Sequence, residues 1–270
     1  ADHLMAVSEN GIQALFDSYF KQENPKSLSI RKKLMSNGAN FIIALFDESY
    51  GSMGYFSKKM MEDYYKIIID ECLKDKTLGL IIKPKSNLIF DELESLNILL
   101  SKLKKTNRCY IFEDSDKIRQ QNIKNNPFFP HTAAAKADLS INLISTSGVE
   151  SILMGIPTIY YDTINLNNSP MYQNNTGKSK TVFYDLNEML SAIREHRKTS
   201  KGIPNFGDHS KIINKIDPYR DGRASNRIGK YIGDLFKELN SGNSRSDSIK
   251  LANKQFMDKW GKDKVKELIN

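Results

Sequence analysis

The sequence predicts an α/β fold, in which a doubly wound parallel sheet of about six strands is followed by C-terminal helices. Short apolar runs alternate with segments of helical periodicity along the middle of the chain. Most of these runs are continuous rather than alternating in polarity, which is typical of strands buried on both faces. Regular alternation of strands and helices predicts parallel strands joined by right-handed crossovers. Ligands of such sheets bind at the carboxyl ends of the strands.

The apolar runs predicted as strands are 41–46, 78–83, 108–112, 139–144, 157–161 and 181–184. Apolar side chains recur every three or four residues in segments 58–75 and 91–104, which are predicted as helices. After a loop rich in Gly, Asn and Asp, two amphipathic helices are predicted at 223–239 and 246–269. Before the sheet, the chain offers a short strand at 3–7, a helix at 10–20 and a polar stretch with Pro25, which is too little to bury a core alone.

Composition excludes several classes of protein. With 270 residues, 39% of them hydrophobic, the chain is not intrinsically disordered as a whole. No apolar stretch approaches the roughly 18–20 residues needed to span a bilayer, and we expect a cytoplasmic protein. Cys72 and Cys109 form no CxxC pair, so neither a disulfide framework nor a cysteine zinc site is indicated. The net charge of +8 fits an anionic ligand or an anionic membrane surface, whereas scattered basic residues without interleaved aromatic residues argue against nucleic acid.

The most informative segment is 145–157, between the fourth and fifth predicted strands. Small hydroxylated residues and Gly148 at a helix start leave backbone N–H groups and the positive end of the helix dipole facing outward, which suits a phosphate. Glu150, one turn further, could then reach a ribose diol. The same residues also fit a capped helix that needs no ligand, with Ser147 as N-cap and Glu150 at the third helical position.

A helix with Ser/Thr-x-Gly-x-Glu at its start and Gly-x-Pro at its end, leading directly into a strand, resembles the donor-binding signature of glycosyltransferases with the GT-B fold. Further segments, in a matching order, resemble bacterial surface-carbohydrate biosynthesis proteins, including the Kdo- and sialic-acid-transferring groups that build capsules and O-antigens. These segments are IKPK at 82–85, AD at 137–138, TVFYD at 181–185 and DPYRDG at 217–222. The resemblance covers roughly residues 40–265.

The residues that the resemblance implies for donor binding are Lys83, Lys85, Ser145, Thr146, Ser147, Gly148 and Glu150. The residues of the helix start would hold the donor phosphate, and Glu150 would hold the ribose. The two lysines would neutralise the phosphate or a donor carboxylate. Related proteins often have His-Pro where this chain has Lys-Pro, so a catalytic imidazole is not expected there.

Further candidates are weaker. Positions predicted at the rim of the donor site are Tyr50, Gly51, Glu113, Asp114 and Arg220. Weak candidates for a catalytic role are Asp47, Glu48 and His131, and no catalytic residue is assigned. Acidic loop residues are also commonly only solvated, and Arg220 also fits an internal Asp–Arg network that holds the C-terminal helices.

The resemblance implies three regions: a remnant or linker of a preceding domain at 1–38, a Rossmann-like nucleotide-sugar-binding domain at 39–200, and a helical extension packed on it at 201–270. The implied function is transfer of a nucleotide-activated sugar during surface polysaccharide synthesis, with this chain as mainly the donor-binding half. The acceptor would be a glycan or a lipid-linked glycan, with peripheral contact at the anionic inner face of the membrane also compatible with the charge. No metal or other cofactor is expected. A non-catalytic nucleotide- or phosphosugar-binding module and a sugar-nucleotide epimerase of the same fold remain alternatives.

Overall fold

The computed structural model describes residues 25–48, 56–86, 88–112, 134, 136–143, 145–165, 175, 177–178 and 180–265. These residues belong to two compact units, 25–213 and 214–265. In the described part of the chain, no helix combines the length and apolarity that a membrane span needs.

The first unit is built on a six-stranded sheet in which every pairing is parallel. Its strands are β1 (Phe41–Phe46), β2 (Leu78–Lys83), β3 (Cys109–Ile111), β4 (Leu139–Asn142), β5 (Thr158–Tyr161) and β6 (Val182–Phe183). The prediction of an α/β fold with a parallel sheet of about six strands is therefore confirmed. The strand order β3-β2-β1-β4-β5-β6 reverses direction between β1 and β4. At such a switch point, a crevice opens outside the carboxyl ends of the strands.

Helices cover both faces of this sheet. They are α1 (Pro25–Ser36), α2 (Lys58–Lys74), α3 (Leu88–Glu92), α4 (Asn97–Lys105), α5 (Thr146–Leu153), α6 (Leu186–Arg197) and α7 (Ser210–Ile216). On one face, α2, α4 and α6 bury a large apolar cluster against the sheet. On the other face, α1 packs beside β1 and β2, while α5 and the start of α7 pack beside β5 and β6.

Helix α1 replaces the polar stretch expected around Pro25. Proline is favoured at the first position of a helix, where its missing N–H costs nothing, and Ile30 and Leu34 recur four residues apart and are buried against the sheet. Arg31 donates to both carboxylate oxygens of Asp138, at 3.0 and 3.1 Å, and Asp138 also accepts the backbone N–H of Ile42 at 2.8 Å. Asp138 therefore ties α1 to the amino ends of β1 and β4, which gives this part of the AD motif a structural role.

The helix predicted at 91–104 is divided in the structure. Leu93, Leu96, Leu100 and Leu103 are buried as the periodicity predicted, but the backbone forms α3, a 3₁₀ turn (Glu94–Leu96) and then α4. The apolar spacing therefore identified the buried face of the segment without identifying the break at Leu93.

The second unit contains α8 (Ala224–Asn240) and α9 (Arg245–Trp260), followed by a 3₁₀ turn (Lys262–Lys264). The Tyr231 hydroxyl donates to Asn253 Oδ1 at 2.9 Å, which joins the two helices. Helix α9 ends at Trp260, well before the predicted end at 269, because Gly261 adopts φ +116° and leaves the helical region.

Candidate functional site

Helix α5 begins at the switch point with an open first turn. Its N-cap is Ser145, with extended φ and ψ of −135° and 154°, and the Ser145 side chain accepts no hydrogen bond from the helix. The capped-helix alternative with Ser147 as N-cap is therefore wrong. Within the described chain, the backbone N–H groups of Thr146 and Ser147 donate to no protein acceptor. Such N–H groups, at the positive end of the helix dipole, are suited to binding an anion.

A buried polar network holds α5 on strand β4. Ser140 Oγ lies 2.9 Å from Ser151 Oγ, and Asn142 Nδ2 donates to Ser140 Oγ at 2.8 Å. Ser151 also donates to the Ser147 carbonyl at 2.9 Å, and Ser145 Oγ donates to Asn142 Oδ1 at 3.4 Å. The network therefore runs from the interior of the sheet to the first turn of the helix. Sequence reasoning missed it, although Ser140 and Asn142, two residues apart, share one face of an otherwise apolar strand.

Gly148 and Glu150 are buried in the first turns of α5. A Cβ atom at Gly148 would lie 2.3 Å from the Tyr160 hydroxyl oxygen and 2.6 Å from two of its ring carbons. Glycine is thus required for α5 to approach β5, independently of any ligand. Glu150 is only 2% exposed. Its contact with a ribose remains a prediction.

Asp47 is a buried carboxylate directly after β1. Only 4% of the residue is exposed, and the carboxylate accepts hydrogen bonds from the Tyr65 hydroxyl at 2.8 Å and from the backbone N–H of Lys85 at 2.5 Å. Burial raises the pKa of Asp47 to about 6, against the opposing effects of these two hydrogen bonds and of the charge on Lys83. Asp47 therefore fixes the loop after β2 from inside the molecule, and its weak candidacy for a catalytic role stays a prediction.

Two lysines lie at the same edge of the sheet. Lys83 ends β2 in register with Phe46 of β1, and its ammonium donates to the Pro84 carbonyl at 2.8 Å. Lys85 pairs with the carboxylate of Glu48, which follows Asp47. On the other side of β1, Phe46 is in register with Asn142 of β4. Asn142 lies three residues before Ser145, the N-cap of α5. The structure thus brings Lys83, Lys85, Asp47, Glu48 and the start of α5 to neighbouring strand ends, as their positions in the sequence predicted.

Tyr50, Gly51, Glu113, Asp114 and His131 lie outside the described residues.

Arg220 belongs to the second unit, where its side chain is exposed and its backbone has φ +46°. Its N–H donates to Asp217 Oδ1 at 2.8 Å. Nearby, Asp221 forms a bidentate ion pair with Arg227, whose guanidinium stacks 3.8 Å above the ring of Tyr219. These contacts form an internal Asp–Arg network, to which Arg220 contributes its backbone N–H. A role of the Arg220 side chain at the rim of the donor site stays a prediction.

The chain matches no protein-family model, no curated protein and no solved structure. Among the described residues, no three His, Cys, Asp or Glu side chains are grouped so that they could hold a metal ion. Geometry alone therefore defines the candidate site: an open helix N-terminus after β4 and two lysines at the end of β2, on the two sides of β1, at the switch point of a parallel α/β sheet.

Proposed function

We propose that the chain binds a nucleotide-activated sugar at the carboxyl edge of its sheet, and that it is mainly the donor-binding half of a GT-B glycosyltransferase in bacterial surface-polysaccharide synthesis. The observation that carries this proposal is the open first turn of α5 beside the switch point. Lys83 and Lys85 support it, because they add positive charge at the same edge.

In the proposed reaction, the bond between the sugar carbon and the donor phosphate breaks, and negative charge develops on the departing phosphate. The N–H groups of Thr146 and Ser147 and the two lysines would stabilise that charge, since preorganised donors act most strongly where charge develops. Asp47 would hold the Lys85 loop in position through the Lys85 N–H. The base that deprotonates the acceptor hydroxyl is not assigned to a residue of this chain. The acceptor would be a glycan or a lipid-linked glycan at the inner face of the membrane.

Lys85→Ala tests the electrostatic part of this proposal. The substitution keeps the backbone N–H that Asp47 needs and removes the cation, so we expect nucleoside diphosphates to bind about tenfold more weakly by calorimetry. Glu48→Gln is the matched control, because it breaks the same ion pair and leaves the cation in place. Its affinity should equal or exceed that of the wild type. If both variants bind nucleoside diphosphates equally weakly, the ion pair between Lys85 and Glu48, and not the charge of Lys85, supports binding.

Turnover distinguishes the proposed activity from its alternatives. Nucleotide sugars are incubated with the protein, with and without glycan acceptors, and the products are separated by chromatography. A transferase releases nucleotide in proportion to the glycosylated acceptor. A new nucleotide sugar formed from donor alone would identify an epimerase, and tight nucleotide binding without turnover under any condition would favour a non-catalytic module.

A further inference from the structure

A cavity of about 410 Å³ opens at the amino ends of β1 and β2, at the opposite end of the sheet from the candidate donor site. Asn40, Phe41 and Thr77 line it at the strand ends, and residues 196–202 line it from the end of α6 and the turn that follows. All of these residues lie in the first unit.

The lining of this cavity, which we call the amino-end cavity, is rich in donors and positive charge. It includes the cations Arg197, Lys198 and Lys201, together with the side-chain amide of Asn40. No aspartate or glutamate is among the described residues that line it. Such a lining favours an anion with several acceptor oxygens.

Arg197 is held in a fixed position beside the cavity. Its Nη1 donates to Asp75 Oδ2 at 2.6 Å and its Nη2 donates to Thr77 Oγ1 at 2.8 Å. Its Cζ lies 5.1 Å from the centre of the Phe41 ring, and only 12% of the side chain is exposed. Because its guanidinium is already ordered, Arg197 would lose little side-chain entropy when an anion binds.

His196 also lines the cavity, and its neutral ring has a defined tautomer. Its Nδ1 accepts the backbone N–H of Ile203 at 3.0 Å, so the neutral ring carries its hydrogen on Nε2. Burial lowers the pKa of His196, which favours the neutral ring near pH 7. Stacking on Phe206, at 4.6 Å between ring centres, fixes the plane of the imidazole.

We propose that the amino-end cavity is a second anion site, which binds a small phosphate-bearing molecule through its phosphoryl group. This inference does not depend on the proposed function, since the cavity and the candidate donor site lie at opposite ends of the strands.

The test is a calorimetric titration with inorganic pyrophosphate and with inorganic phosphate, at constant ionic strength. The double variant Lys198→Ala/Lys201→Ala removes two exposed cations of the cavity and leaves the fixed Arg197 intact. We expect it to raise the Kd for pyrophosphate by about tenfold. The double variant Lys32→Ala/Lys33→Ala makes the same change in net charge on the exposed face of α1 and should leave the Kd unchanged.

Saturable binding that only the cavity variant weakens would support the second site. The inference is overturned if wild-type protein shows no saturable binding, or if both lysine pairs weaken binding equally, since the effect would then be one of net charge. It is also overturned if a substitution in the first turn of α5 abolishes pyrophosphate binding, because the anion would then occupy the candidate donor site.

Discussion

Gly148→Ala is expected to lower the free energy of unfolding by about 1–3 kcal/mol, because the added methyl overpacks the contact between α5 and β5. Alanine normally stabilises a helix relative to glycine by about 1 kcal/mol. At this position the new Cβ would lie 2.3 Å from the Tyr160 hydroxyl oxygen, and Tyr160 is itself buried, so the helix or the ring must move. Denaturant unfolding measures the loss. Movement of α5 would also displace its first turn, and nucleotide binding should weaken in the same variant.

Gly229→Ala is the matched control, since Gly229 also lies in a helix, but an added Cβ there meets nothing within 4 Å. It should raise the free energy of unfolding by about 0.5–1 kcal/mol. Tyr160→Phe in the Gly148→Ala background should recover part of the loss, because the nearest clashing atom is removed. If Gly148→Ala stabilises the protein as Gly229→Ala does, α5 does not approach β5 as closely as described here.

Asp47→Asn is expected to change how stability depends on pH. In the folded chain the pKa of Asp47 is raised to about 6 by burial, against 3.8 as its ordinary value. Between pH 3.8 and about 6, the Asp47 carboxyl is ionised in the unfolded chain and protonated in the folded chain. The free energy of unfolding therefore falls as the pH rises through this range. The loss amounts to about 3 kcal/mol, and the asparagine variant does not undergo it. The difference in free energy of unfolding between variant and wild type should therefore grow in favour of the variant by nearly this amount from about pH 3 to about pH 7.

Asp75→Asn is a control, because its effect on the free energy of unfolding at pH 7 should have the opposite sign. Burial opposes its ionisation, but hydrogen bonds from Thr77 and Arg197 prevail and lower the pKa to about 2. Asp75→Asn should therefore destabilise the protein at pH 7, and this effect should vanish as the pH falls from about 4 to about 2.

A pH-independent difference between Asp47→Asn and wild type would contradict the burial of an ionised Asp47. A stabilising substitution that also weakens ligand binding would identify Asp47 as a position kept for function.

The sequence predicted most of the sheet because its buried strands are continuous apolar runs. The strands at 41–46 and 78–83 have their predicted bounds, and the others are shorter by one or two residues, as where Asn142 ends β4. Helix α1 was not predicted, because Ile30 and Leu34 are too few to produce a clear periodic pattern, and their burial depends on a sheet formed by residues far along the chain.

The candidate site was predicted in part. The order of elements along the chain predicted that Lys83 ends its strand and that Asp47 and the start of α5 follow theirs. Parallel pairing brings these strand ends together. The roles of individual residues depended on contacts between distant segments, which spacing does not reveal. Gly148 is glycine because of Tyr160, and Asp47 is buried because Tyr65 and the loop of Lys85 cover it.

Our proposal that the open first turn of α5 binds the donor phosphate can be tested with the substitution Thr146→Pro. Thr146 is the first helical residue, where proline is favoured, and Ser145 before it is already extended as a residue preceding proline must be. The substitution therefore removes one N–H donor and leaves the helix intact. Thr146→Ala is the control, because it removes the side chain and keeps that N–H. In calorimetric titrations with CMP, CDP, UDP, GDP and ADP, we expect wild type and Thr146→Ala to bind one nucleotide similarly and Thr146→Pro to bind it about tenfold more weakly. Absence of nucleotide binding by the wild type, or equal affinity of all three proteins, would contradict the claim.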